Sequence, residues 1–430
     1  MQCLVEGISH AGEGVARIAG KATFIPYAIP GETVAVTIIE EKKSYQRALL
    51  QQVIHPSQDR CQPNCRHYFT CGGCSFQHVD YPRQLTLKRQ IVEETLRRVG
   101  GIEIPVSPVI GMETPWHYRN KVEWHLSSQS GREMFGYFMN QSHEMVDIEN
   151  CPLISQAIQA VSLYIKNHRK ILRVPDKCEI TVRQSSLSQI MIIFSGNQTS
   201  QIDFALLADH CKEISFYSID QNITRLHYGE TRLEEKLGEF KFEISPLAFF
   251  QVNHQQNEKM LAVIKDYARL QRSDSVLDAY CGTGSIALSL ARDVKRVVGV
   301  ENFKAAIKDA KRNAFLNNIT NTQFIKGACE EIVPALTDDF DVIILDPPRS
   351  GCKKELIQEV INKSPRSLIY VSCNPATLAR DLALFEDSVY QVKEIQPIDM
   401  FPQTSHVECV VRIYRKEKTV RDENITAEVD

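Results

Sequence analysis

Residues 275–288 read SVLDAYCGTGSIAL: an apolar run, an acidic residue at Asp278, then Gly282 and Gly284 before a second apolar pattern. An apolar run without polar alternation predicts a strand covered on both faces, and the closely spaced glycines predict a tight turn that opens a helix. The same order repeats on either side. RVVGVE (296–301), TQFIKG (322–327), FDVIILD (340–346) and SLIYVSC (367–373) are apolar strands, each followed by a helical pattern. Such units predict an α/β domain with a parallel sheet. Ligands bind these sheets at the carboxyl ends of the strands, where Asp278, Glu301, Asp346 and Cys373 all fall. IQPIDMFP (395–402) and HVECVVRIYR (406–415) read as two more strands joined by a loop. If the second is antiparallel, it starts at the same rim with His406 and Glu408.

LDAYCGTGSIAL resembles the first motif of class I S-adenosylmethionine methyltransferases, whose glycines let backbone approach the ligand closely. Glu301, one strand–helix–strand unit later, is placed to accept hydrogen bonds from both ribose hydroxyls; its plainer reading is a carboxylate at a helix start. Asp346-Pro347-Pro348 makes a stiff exit from a buried strand, because each proline fixes its own φ and restricts its predecessor. Amino-group methyltransferases with this loop usually carry an aromatic residue where this chain has Arg349, which argues against that chemistry.

Cys373 leaves its strand in Ser-Cys-Asn-Pro, facing the start of a new helix. Helix dipole and free N–H groups there are expected to favour a thiolate. A methyl donor, a cysteine and a carboxylate converging on one rim suit methylation at carbon 5 of a pyrimidine. That carbon is too weak a nucleophile until a thiolate adds at carbon 6, and a base must afterwards take the carbon 5 proton. Cys373 is the candidate nucleophile and Glu408 the candidate base. Cytosine is the rival pyrimidine, but RNA cytosine enzymes usually place the cysteine after proline, whereas here it precedes Asn374-Pro375.

Composition sets bounds on the rest. A chain of 430 residues predicts two or three domains. Thirteen cysteines without a secretory pattern predict reduced thiols in a cytoplasmic protein, used for metal or catalysis. A net charge of -3 leaves any nucleic-acid contact to local patches, and no apolar run suggests a membrane span. Residues 1–58 alternate short strands with Gly and Pro turns, as in a small OB-like barrel. Lys42, Lys43, Tyr45 and Arg47 are its candidate RNA contacts, or else a solvated hairpin. Cys65-x5-Cys71-Gly-Gly-Cys74 with Cys151-Pro152 downstream is similar to ferredoxin-type ligand spacing and predicts a [4Fe–4S] cluster, with zinc as the alternative. Cys61 is a rival ligand, and His67 and His78 are expected at the surface. A helix over 82–99 carries Arg83, Lys88, Arg89, Arg97 and Arg98, expected mostly on a solvated face. Residues 103–245 read as α+β, and 417–430 as a charged, disordered tail.

Taken together, the chain resembles the bacterial RNA uracil-5 methyltransferases, and within them the iron–sulfur, TRAM-bearing 23S rRNA branch. AGEGVAR and YAIPGE are similar to the TRAM domain. FFQVN, LDAYCGTG, GVE, DPPRSG, SCNPATLARD and HVE are similar to the catalytic motifs in order and spacing. The resemblance implies a Rossmann-like class I methyltransferase domain (246–416) after a TRAM barrel (1–58) and a central iron–sulfur and RNA-binding domain (59–245). It also implies that the helix at 82–99 packs on the catalytic domain. Gln251, Tyr280, Glu301 and Asp346 would bind S-adenosylmethionine. Cys373 would be the nucleophile and Glu408 the base, and Cys65, Cys71, Cys74 and Cys151 would hold the cluster, leaving Cys61 spare. The implied partner is RNA, 23S rRNA before the tRNA T-loop, with no membrane and no obligate protein partner. A target uracil would flip out of its stack against Phe249 or Phe250. A non-catalytic iron–sulfur RNA-binding protein is the reading from another class, and the intact donor motifs count against it.

Overall fold

The computed structural model describes residues 1–129, 132–140, 142–210 and 213–416, so the expected tail lies outside the described residues. Strands β1 (Gln2–Ile8), β2 (Gly14–Ile18), β3 (Lys21–Ile25), β4 (Thr33–Glu41) and β5 (Tyr45–His55) close into a barrel in the order β1-β2-β3-β5-β4. Strand residues alternate between faces, so Val5, Ala16, Ile25, Val34, Val36 and Ala48 fill its interior. Two of the candidate RNA contacts already carry carboxylate partners: Lys42 lies 3.0 Å from Glu40 and Arg47 2.6 Å from Glu13.

The cysteine-rich segment leads into helix α1 (Tyr81–Thr95), which is extended by a π-type turn over Leu96–Gly100. Asp80 caps α1 by accepting from the Arg83 N–H at 3.2 Å, and Pro82 occupies its first turn, where a missing N–H leaves no bond unmade. Two expectations fail here. Lys88 is not on a solvated face but wholly buried, paired with Asp399 and donating to the Phe401 carbonyl at 3.0 Å. Helical phase explains it: Gln84, Leu87, Lys88, Ile91 and Val92, at spacings of three and four, share the buried face. His78 is also buried, with its Nδ1 2.7 Å from the Tyr68 hydroxyl. The buried face of α1 packs on the C-terminal domain, where Val92 and Leu96 join Leu378, Ala379 and Leu382 in one apolar cluster.

A central sheet follows: β6 (Lys121–Gln129), β7 (Arg132–Phe138), β8 (Met145–Asp147), β9 (Glu179–Gln184), β10 (Ile190–Ser195), β11 (Ile214–Asp220) and β12 (Ile223–Tyr228), in the order β12-β11-β10-β9-β6-β7-β8. Helices α2 (Gln156–His168) and α3 (Phe204–His210) belong to this region, and Ile158, Ile165 and Leu207 join its core.

Next come the hairpin β13 (Leu233–Leu237) and β14 (Phe240–Ile244), then α4 (His254–Ala268). The C-terminal sheet holds β15 (Ser275–Ala279), β16 (Arg296–Glu301), β17 (Thr322–Lys326), β18 (Val342–Leu345), β19 (Ser367–Ser372), β20 (Tyr390–Ile398) and β21 (Glu408–Arg415). Between its strands run α5 (Ser285–Ala291), α6 (Lys304–Leu316), α7 (Cys329–Ala335), α8 (Lys354–Asn362) and α9 (Pro375–Glu386). The order is β17-β16-β15-β18-β19-β21-β20; the first five are parallel, and β21 runs antiparallel between β19 and β20. The order reverses direction beside β15, the switch point where such sheets open a crevice. Two apolar clusters cover the two faces, which is why the parallel strands read as continuous apolar runs. The hairpin, grouped from the sequence with the central segment, packs on α6: the Glu243 N–H donates to Asn313 at 2.7 Å and the Lys241 N–H to Asn317 at 2.9 Å. Among the described residues no helix is long and apolar enough to cross a membrane.

Candidate active site

A cavity of about 710 Å³ opens at the carboxyl ends of β15, β16, β18 and β19. Gln251, Tyr280, Glu301, Asp346, Cys373 and Glu408 all line it. The structure therefore brings together, from six separate segments, every residue singled out for donor binding and catalysis.

On the β15–β16 side, Gly282 and Gly284 adopt φ values of +53° and +86°, which let the chain turn from β15 into α5. Tyr280 also has a positive φ, 66°, an uncommon and strained state for a bulky residue and one that concentrates at functional sites. Its N–H donates to Cys329 Sγ at 3.3 Å and its hydroxyl to Glu330 at 3.2 Å, so the ring is fixed in the cavity wall. One Glu301 oxygen accepts the Gly282 N–H at 3.2 Å and the other the Phe303 N–H at 2.7 Å. Phe303 is the N-cap residue of α6, so the helix-start reading of Glu301 holds for one oxygen, while the other faces the glycine turn.

Across the cavity, the loop after β18 is held by the first turns of α9. The Arg349 carbonyl accepts from Asn374 Nδ2 at 3.1 Å and from Thr377 Oγ1 at 3.2 Å. Asp381 accepts the Cys352 N–H at 2.8 Å and the Tyr370 hydroxyl at 2.6 Å, while Arg380 donates to the Ser350 carbonyl at 3.0 Å. DPPRSG and NPATLARD, two separate motifs in the sequence, are thus one bracket. Gly351 is where they meet: its φ is +74°, and a Cβ there would lie 2.4 Å from Asp381 Oδ2, an oxygen already held from two sides. Gly351→Ala is expected to cost about 1–3 kcal/mol. A thermal unfolding midpoint equal to the parent's would contradict the bracket.

Cys373 follows β19 and Glu408 begins β21. Ser372 pairs with Cys409, so Cys373 and Glu408 are the next residues beyond that pair; both line the cavity, and the Glu408 carboxylate is near enough to act on the thiol. The electrostatics differ from the sequence expectation. Burial pushes the Cys373 thiol up, the neighbouring Glu408 and Asp346 carboxylates push it further, and only the Arg349 guanidinium opposes them. The start of α9 gives less help than expected, because Asn374 itself caps it by accepting the Ala376 N–H at 3.1 Å. Glu408 is held well above the ordinary carboxylate range by burial and then by Asp346, and Asp346 is pushed up to about 7 by burial. Of the two phenylalanines expected near a flipped base, Phe249 is 65% exposed at the cavity, while Phe250 packs against Phe242 at 5.9 Å. Sequence reading missed Phe401, Asn302 and Glu330 as lining residues. Phe401 lies in the loop before β21, and no local pattern marks it.

A second, smaller cavity of about 100 Å³ is lined by Cys65, Cys71, Cys74 and Cys151 together with Gln77, Arg119 and Tyr137. Cys61 lies outside it, with its thiol 3.4 Å from the Gln77 carbonyl. Burial pushes the Cys71 thiol up to about 11 and that of Cys74 up to about 12. Among the described residues no group of three or more His, Cys, Asp or Glu side chains is arranged to hold a metal ion, so the expected ligand set is not shown.

Comparison with known proteins adds the following. Residues 1–50 match the TRAM domain and residues 223–416 the family described as tRNA (Uracil-5-)-methyltransferase. An RNA methyltransferase of Clostridium acetobutylicum is 37% identical, with 96% of each chain covered. One from Bacillus cereus is 36% identical, again over 96% of each. Among solved structures, the Pyrococcus abyssi tRNA (uracil-54, C5)-methyltransferase in complex with S-adenosyl-L-homocysteine has the same fold: TM-score 0.77 at 24% identity, covering 96% of this chain and 100% of that one.

Proposed function

Because this chain belongs to the RNA (uracil-5)-methyltransferase family and is an S-adenosylmethionine-dependent enzyme, we propose that it methylates carbon 5 of one uridine in 23S rRNA through a covalent adduct on Cys373. The observation that carries this reading is that Cys373 and Glu408, neighbours close enough for the carboxylate to act on the thiol, share the wall of the cavity that also holds Glu301 and Asp346. S-adenosylmethionine supplies an electrophilic methyl group on a sulfonium. Gln251, Tyr280, Glu301 and Asp346 are the residues that would bind it, and the paired acceptors of Glu301 suit a ribose.

The Cys373 thiolate adds to carbon 6 of the flipped uracil, and the electrons of the C5–C6 double bond move toward O4 as an enolate. Carbon 5 then takes the methyl group. The Glu408 carboxylate removes the carbon 5 proton, the C5–C6 double bond re-forms, and Cys373 leaves as thiolate. A buried Glu408 is a stronger base than an exposed carboxylate once ionised, which suits this last step. Phe249 and Phe401 offer faces for the extruded base. Glu408→Gln is therefore expected to accumulate a protein–RNA adduct on a denaturing gel while turnover falls about 10²–10⁴-fold. A variant that binds RNA normally yet forms no adduct would remove Glu408 from the base role.

The four-cysteine cavity is read as the site of a [4Fe–4S] cluster. Arg119 and Tyr137 line it, and the buried Nε of the first and the buried hydroxyl of the second have no hydrogen-bond partner among the described residues, which suits an anionic metal–sulfur group. Cys65, Cys71, Cys74 and Cys151 would hold it, and its role would be structural. Absorbance of anaerobically purified protein, with iron and sulfide analysis, separates it from zinc.

The acceptor in 23S rRNA rests on the TRAM barrel and the cysteine segment. The tRNA T-loop is the second reading, favoured by the description of the matched family. Mass mapping of nucleosides from a deletion strain decides between them; loss of 5-methyluridine from tRNA alone would overturn the rRNA choice.

A further inference from the structure

The loop between β20 and β21 carries Phe401 and delivers Glu408, yet little of it is held by its own sheet. Five consecutive carbonyls accept from elsewhere. Asp399 O takes Gln256 Nε2 at 3.0 Å, Met400 O takes Asn253 Nδ2 at 3.1 Å and Phe401 O takes Lys88 Nζ at 3.0 Å. Pro402 O takes the Tyr118 hydroxyl at 3.1 Å, and Gln403 O takes the N–H groups of Ser75 and Phe76 at 3.1 and 3.0 Å. The Ser405 N–H then donates to Ser75 Oγ at 2.8 Å.

The last three holds, on Pro402, Gln403 and Ser405, grow from the cysteine cavity. Ser75 and Phe76 directly follow Cys74, and the next residue, Gln77, donates to Cys74 Sγ at 3.2 Å and accepts the Cys65 N–H at 3.1 Å. Tyr118 sits between His117 and Arg119, whose N–H groups donate to the Pro152 and Leu153 carbonyls just after Cys151, at 3.0 and 2.9 Å. We propose that the four-cysteine centre anchors the catalytic loop: by fixing Ser75 and Tyr118 it fixes Pro402 to Ser405, and so sets Phe401 and Glu408 against the uracil. Ser75 and Tyr118 are positioning residues. The proposal deepens the metal-centre reading above and rests on it. The donor-binding turns after β15 and β16 lie on the other side of the cavity, so loss of the anchor leaves S-adenosylmethionine affinity in place.

The test uses the full chain, with four readouts: iron and sulfide content, S-adenosylmethionine affinity, amide hydrogen exchange over 401–407, and turnover. Ser75→Ala keeps the centre but removes the acceptor for the Ser405 N–H. It is expected to retain iron, sulfide and donor affinity, while the Ser405 amide exchanges about 10-fold faster and turnover falls by a similar factor. Ser75→Thr, which keeps the hydroxyl, should return both toward the parent. Chelating iron from the unmodified protein should speed exchange over 403–405 in the same way, without requiring a cysteine variant to fold. Protein isolated anaerobically without iron or sulfide would overturn the metal-centre reading and the anchor with it. Iron-replete protein whose 403–405 amides exchange equally before and after chelation would overturn the anchor alone.

Discussion

Cys373→Ala is expected to abolish methyl transfer, lowering turnover by at least about four orders of magnitude, the scale on which loss of a covalent nucleophile is felt. The other thiols in the cavity wall are poorly placed to replace it: Cys281 and Cys329 are buried, whereas Cys373 is half-buried. S-adenosylmethionine should still bind, because Gly282, Glu301 and Tyr280 hold their positions independently of β19. A variant that retains activity would end the covalent mechanism. The same thiol sets a pH dependence. Its value is raised by burial and by Glu408, so the thiolate fraction climbs with pH and is small at neutrality. Glu408, also raised, must be ionised to act as base. Both requirements point one way: turnover falls as pH falls. Alkylation of Cys373 by iodoacetamide should still be rising above the ordinary thiol range, and Arg349→Gln should shift the curve further up, since the guanidinium opposes the rise. Alkylation that levels off below about pH 8.5 would contradict this.

Lys88→Ala is expected to destabilise the fold strongly, by about 3–5 kcal/mol. Lys88 and Asp399 are both fully buried, and removing one leaves the other charged without its counter-ion. Burial pushes the Lys88 ammonium down, and the charge of Asp399 works against that. Tyr81 donates to the second Asp399 oxygen at 2.8 Å, so the pair is the centre of a latch between α1 and the catalytic loop. The double variant Lys88→Met with Asp399→Asn removes both charges, keeps an acceptor for Tyr81 and should recover most of the loss. Chemical unfolding of the three proteins checks it; a double variant no more stable than the single would show that the pair acts through shape and not charge.

The latch marks where local reading stopped. Basic residues of a helix are expected mostly on its solvated face, yet the spacing of Lys88 to Gln84, Leu87, Ile91 and Val92 sets it on the buried stripe. What the spacing could not supply was Asp399, more than three hundred residues away, without which a buried ammonium is not credible. His78 failed for the same reason, since its partner Tyr68 sits in an irregular segment with no periodicity. Phe401 was invisible because it lies in a loop held by four other segments, those of Ser75, Lys88, Tyr118 and α4.

By contrast, the sequence alone determined the parallel sheet, its rim and the side chains that line it. Strand period, glycine turns and proline exits are local properties, and a strand's carboxyl end is known as soon as its direction is. SVLDAYCGTGSIAL therefore identified the switch-point strand, and Cys373 and Glu408 could be paired through the expected antiparallel return. Only the tertiary structure decided the state and support of that pair. Protonation depends on which charges share a dry volume, and the rigidity of the Glu408 loop depends on donors from the cysteine segment, α1 and α4. Those are distances between parts of the chain far apart in sequence, and they exist only once the domains are packed.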